Sequence, residues 1–220
     1  NLGLMYIRKG KLKAAKDTFQ KLVKMSPRDA EAQINLGYAV GTLGDVPGAT
    51  QYFRRALELA PASSLANNNM GVALFVQGKQ KASVAYYEKA IELDPSLAPA
   101  YNNLAASYVE LGKIEQAIDA YQEALVRNPA DREARRNLGH LYLLRNEPQL
   151  AVEHLQMALA MDAGDPDTLF NLGVAYQMLR QTKEAITFYE AFLRVAGDDP
   201  ARNAAVVKAE QAIQELKYPY

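Results

Sequence analysis

Apolar residues along the chain fall at i, i+3, i+4 and i+7 in short windows, and each window is closed by Gly or Pro. That spacing is one face of an α-helix, not the alternation of a strand. Residues 30–43 and 47–60 are predicted as two such helices, with Gly44 between them and Pro61 after them. The same pair then recurs. Asn occurs at positions 1, 35, 69, 103, 137 and 171, a period of 34 residues without an insertion. Two residues after each Asn stands a small one (Gly3, Gly37, Gly71, Ala105, Gly139, Gly173), and a large apolar residue lies between. A strict period of this length means one supersecondary unit stacked on copies of itself, because neither helix of a pair can bury its stripe alone.

Further positions keep the register. Gly10, Gly44, Gly78, Gly112 and Asn146 occupy the turn between the helices, where a left-handed residue must reverse the chain. Arg180 breaks that rule in the sixth copy. A small residue follows at 15, 49, 83, 117, 151 and 185, and Phe19, Phe53, Tyr87, Tyr121, Leu155 and Tyr189 come four later. The small residues of the two helices allow close approach, and the large residue plugs the gap beside them. Pro27, Pro61, Pro95 and Pro129 end the second helices, since proline has no N–H to donate; Ala163 and Gly197 replace it in the last two copies.

Asn103-Leu104-Ala105, Tyr108, Gly112, Ala117, Tyr121, Ala124 and Pro129, with the 34-residue period, resemble the tetratricopeptide repeat family over roughly residues 1–199. The resemblance implies an all-α, right-handed α-solenoid of about six helix-turn-helix units near 1–29, 30–63, 64–97, 98–131, 132–165 and 166–199. Residues 200–217 lack the repeat pattern but carry a stripe of Val206, Ala209, Ile213 and Leu216, which predicts a C-terminal capping helix. Phe192 agrees: its equivalents are Ala56, Ala90, Ala124 and Ala158, and a larger residue fits where a cap replaces the next repeat. Residues 218–220 are expected to be a disordered tail. The chain opens inside a helix, so it is expected to be a piece of a longer protein.

In the family the first helices line a concave groove. Carried over by register, the groove positions lie one before, three after and six or seven after each Asn. They include Asn35, Tyr38, Gly41 and Thr42; then Asn68, Asn69, Val72, Phe75 and Val76; then Asn102, Asn103, Val109 and Glu110. Later copies offer Arg136, Asn137, His140, Leu143 and Leu144, then Phe170, Asn171, Val174 and Met178. A carboxamide both donates and accepts, so a row of Asn could hold an extended peptide by its backbone. Such a ladder resembles the repeat domain of O-linked N-acetylglucosamine transferase. The alternative is that this Asn joins adjacent repeats. The extra Asn68 and Asn102 are less easily explained as architecture, which marks the middle of the groove as the candidate site. Its apolar residues exceed what a solvated face needs, with about half expected to turn into the core. The set of groove cations that grips chaperone C-termini in some family members is absent; only Arg136 is placed there.

Charge and composition change the picture little. Basic and acidic residues are equal in number, 25 each, which argues against a nucleic-acid binder. Within residues 1–28, however, Arg8, Lys9, Lys11, Lys13, Lys16, Lys21, Lys24 and Arg28 face only Asp17. Such a block can steer an acidic partner or an anionic membrane surface, and self-association is left open. The chain has no Cys, and its two histidines, His140 and His154, fall on different helices. No phosphate-binding loop, nucleophile elbow or metal-ligand spacing is present. The expectation is a non-enzymatic adaptor without cofactor or metal that binds a protein or peptide partner in its groove. Two other readings are a substrate-docking domain of a larger enzyme and a structural subunit of a bacterial envelope or secretion assembly. No apolar run reaches the length of a membrane span, so a soluble protein of the cytoplasm or periplasm is expected.

Overall fold

The computed structural model describes residues 2–197 and 199–218. Every regular element among them is helical. The helices are α1 (Leu2–Arg8), α2 (Leu12–Met25), α3 (Ala30–Thr42), α4 (Val46–Leu59), α5 (Ser64–Val76), α6 (Gln80–Leu93), α7 (Ala98–Glu110), α8 (Ile114–Arg127), α9 (Arg132–Leu144), α10 (Pro148–Met161), α11 (Pro166–Met178), α12 (Thr182–Ala196) and α13 (Asn203–Lys217). A 3-10 turn, Pro200–Arg202, precedes α13. The predicted helices of the second repeat differ from α3 by one residue at its C-terminal end and from α4 by one residue at each end. Residues 1–127 form one compact unit, with α1–α8, and residues 128–220 a second, with α9–α13.

The helix ends have local causes. Asp29, Ser63, Asp131 and Asp165 cap α3, α5, α9 and α11 by accepting the N–H three residues on. Asp45 does the same for α4, and Asp199 accepts from Ala201 N before α13; its neighbour Asp198 lies outside the described residues. The hairpin turns reverse through a positive φ at Gly10, Gly44, Gly78, Gly112 and Asn146. Arg180 also adopts it, with φ 58°. The expected break at Arg180 is therefore one of residue type only, because the packed helices on either side impose the turn.

Within each hairpin the small residue and the large one meet as the pattern requires. A Cβ on Gly37 would lie 2.6 Å from the Phe53 ring, on Gly71 2.5 Å from Tyr87, and on Gly173 2.5 Å from Tyr189. In the first unit each hairpin also packs its second helix on the next hairpin's first, and α3, α5 and α7 touch in a row. Its core joins Phe19, Leu36, Phe53 and Met70 to the alanines at 15, 39, 49 and 73. In the second unit Leu169, Tyr189 and Phe192 are buried with Ala209, Ala212 and Ile213 of α13. Thus α13 covers Phe192, and Val206 and Leu216 pack at the edge of the same cluster. Of the expected tail only Tyr218 is described, at the C-terminal end of α13.

One recurring bond was not read from the sequence. Gln33 Nε2, Asn67 Nδ2, Tyr101 Oη and the Arg135 guanidinium each donate to the carbonyl of the Pro six residues earlier. Four unlike side chains do one job: they satisfy a loop carbonyl left over at the end of the preceding helix. The sixth copy has neither part, since Ala163 replaces the Pro and Leu169 the donor.

Candidate functional site

In the first unit the facing ends of α3 and α5 enclose an apolar pocket of about 350 Å³ that opens to solvent. Tyr38, Gly41 and Thr42 form one wall and Asn68, Asn69, Val72 and Val76 the other, with Val46, Ala49 and Phe53 of α4 at the base. Tyr38 is 44% exposed and Val76 62%. Contiguous apolar surface of this kind, left open to water, commonly marks a place where a partner packs.

The carboxamides beside the pocket form a chain. Asn103 Nδ2 of α7 donates to Asn68 Oδ1 at 3.0 Å, and Asn68 Nδ2 approaches Asn69 Oδ1 at 3.5 Å. Asn68 is only 6% exposed. Asn68, less easily explained as architecture from the sequence, joins α5 to α7, because its carboxamide lies within reach of the repeated Asn of the next copy. Asn67 is buried and bonded to Pro61 O and Ser63 O. The expected site residues of this unit are thus only partly assembled: Tyr38, Asn68, Asn69 and Val72 share one pocket, with Asn103 attached through Asn68. Asn35, Phe75 and Asn102 are half-buried and stand outside its lining.

In the second unit two of the expected residues, Arg136 and Phe170, already have partners. Arg136 lies 3.5 Å from Asp165 and 3.6 Å from Asp167, so its charge is already matched at the capped start of α11. Phe170 packs on Phe192 and Tyr189, with ring centroids 5.2 Å and 5.8 Å apart. It is half-buried, packed at the edge of the cluster that α13 joins, and it also lines a solvent-open pocket with Val174 and Gln177. Asn137 and Asn171 are half-buried and His140 is exposed. His154 stacks on Tyr142 at 5.5 Å, and its Nδ1 is buried without a hydrogen bond. Burial, followed by the opposing pull of Glu153 and the push of Arg135, lowers its pKa below the usual histidine value. Among the described residues no His, Asp or Glu group is arranged to hold a metal, and no helix is long and apolar enough to cross a membrane.

Stacked helical hairpins with an exposed row of first helices define a class of helical-repeat interaction proteins. The chain belongs to the tetratricopeptide repeat family: its models match residues 1–64 and 102–166, 71–112, and 167–197. A search of the curated proteins finds no match. Among solved structures the chain is similar to PilF of Pseudomonas aeruginosa, with a TM-score of 0.83 and 18% identity over 98% of this chain and 93% of that one. It is also similar to YrrB, described as a tetratricopeptide protein with an unusual peptide-binding site, with a TM-score of 0.72 and 21% identity over 88% and 97%. MamA matches with a TM-score of 0.63 and 24% identity over 74% and 95%. At these identities the likeness is one of fold.

Proposed function

We propose that the protein is a non-enzymatic adaptor that holds a segment of a partner protein on the first-helix face of its N-terminal unit. The observation that carries this reading is the solvent-open pocket between α3 and α5, apolar within and edged by the Asn68 and Asn69 carboxamides. Binding surfaces combine an apolar anchor site with a few polar groups that fix orientation. YrrB, a protein of the same fold, is described as having an unusual peptide-binding site, which agrees with this reading without carrying it.

The test is a pull-down from the source cells with the wild-type protein and a Val72→Asp/Val76→Asp variant, read by mass spectrometry. Both valines are exposed, so the variant is expected to keep its fold and its circular dichroism melt. A partner captured by the wild type and lost with the variant supports the groove. A partner retained equally withdraws it and turns attention to the basic block of residues 8–28.

A further inference from the structure

The second helices of the first unit carry their charges at equivalent places, and two of the four leave them unbalanced. Near its C-terminal end α4 holds an ion pair across one turn, Arg55 to Glu58 at 2.7 Å, and α6 holds the equivalent pair, Lys89 to Glu92 at 2.9 Å. One period before Arg55 and Glu58, α2 has Lys21 and Lys24 instead. One period after Lys89 and Glu92, α8 has Glu123 and Val126. Nearer its start α8 also sets Glu115 four residues before Asp119. Like charges three or four residues apart destabilise a helix, where opposite ones would support it. The middle helices thus compensate their own charge, and the outer two do not.

Each outer helix gathers its charge on one side. Lys13, Lys21 and Lys24 of α2 lie within a sector of about 80° about the helix axis, as do Glu115, Asp119 and Glu123 of α8. All six are exposed. Among the described residues only Glu123 of the six joins an ion pair, with Arg127. Asp17 is the single acidic residue of α2. Residues 13 and 21 stand three periods before 115 and 123. The basic and acidic faces therefore occupy equivalent sides of their repeats, with the same spacing of about 12 Å between the outer charges. Within one chain α4 and α6 come between them in the stack, and no ion pair joins α2 to α8.

From this arrangement we infer that the protein self-associates, the lysine face of α2 in one copy meeting the carboxylate face of α8 in another. Charge complementarity selects this occupant. An anionic membrane or polyanion would engage α2 and leave the like charges of α8 unmatched, whereas a second copy answers both faces at once. The formal net charge of zero lets copies approach without overall repulsion. The contact involves neither α3 nor α5, so it stands apart from the groove reading.

The test is light scattering on a dilution series, at about 0.01 M and about 1 M salt, between which the Debye length shrinks from about 30 Å to about 3 Å. At low salt the average mass is expected to rise with concentration above the 24.3 kDa of one chain, and at high salt to return to it. Lys13→Glu/Lys21→Glu and Glu115→Lys/Asp119→Lys should each weaken association at least about tenfold by setting like charges against each other. The chain with all four substitutions has its two faces exchanged and its net charge back at zero, and it should associate as the wild type does. Glu153→Lys/Glu184→Lys shifts net charge as far in the second unit, away from both faces, and should leave association in place. All the altered residues are exposed, and matching circular dichroism melts confirm that each variant is folded. A wild type that stays at the mass of one chain at low salt overturns the inference. So does association that either double variant leaves unchanged, that the fourfold variant does not recover, or that Glu153→Lys/Glu184→Lys weakens equally.

Discussion

Arg180 shows what a single residue tolerates when its neighbours decide. Its φ of 58° is one that a side-chain-bearing residue adopts at a cost of about 1–2 kcal/mol. Arg180→Gly is therefore expected to stabilise the protein by about 1 kcal/mol, read by urea unfolding; a loss of stability would show that the Arg side chain makes a compensating contact. Asn67 works in the opposite sense. It is buried and donates to Pro61 O and Ser63 O; Asn67→Leu leaves Pro61 O short of this donor, while Ser63 O keeps the backbone N–H of residue 67. A cost of about 1–3 kcal/mol is expected in the same assay. His154 supplies a pH dependence. Its pKa is lowered in the folded state, so below the ordinary value of about 6.5 the unfolded chain takes up a proton more readily than the folded one. Stability then falls as pH drops through that region, and His154→Phe should flatten this part of the profile of melting temperature against pH.

At the scale of the helix pair, a small residue and a ring set the distance between helices. Gly71 lies so close to Tyr87 that Gly71→Leu should cost roughly 1–3 kcal/mol or more by overpacking. Gly71→Ala should be far milder. The fourth repeat already carries Ala105 at this place, with Tyr121 at the place of Tyr87, and alanine recovers about 1 kcal/mol of helix propensity. Equal penalties for the two variants in thermal melts would show the wrong register. The hairpin was legible in the sequence for a physical reason. Apolar period, Gly at the left-handed turn and Pro past the helix end are all local constraints, and the predicted 30–43 and 47–60 fall within a residue of α3 and α4. The loop bond to the Pro carbonyl was hidden because Gln33, Asn67, Tyr101 and Arg135 share only a donor, not a residue type. The capping role of α13 was legible through Phe192, which is 1% exposed. Phe192→Ala should cost about 3–5 kcal/mol, as for other buried aromatics, measured by calorimetry.

Across the whole molecule, the sequence alone determined the repeat family, the order of helices, the residues that set helix spacing and the helix that follows the last hairpin. Each follows from contacts within a repeat or between identical faces of successive repeats, and a strict period displays such contacts directly. It also confined the candidate site to the first-helix row. Only the tertiary structure decided which residues of that row have a partner already. Asn68 is bonded to Asn103, Arg136 is held by Asp165 and Asp167, and Phe170 packs half-buried on Phe192. The difference has one cause. Propensity and periodicity act along the chain, whereas hydrogen-bond partners, charge pairing and empty volume depend on side chains from separate helices meeting in space.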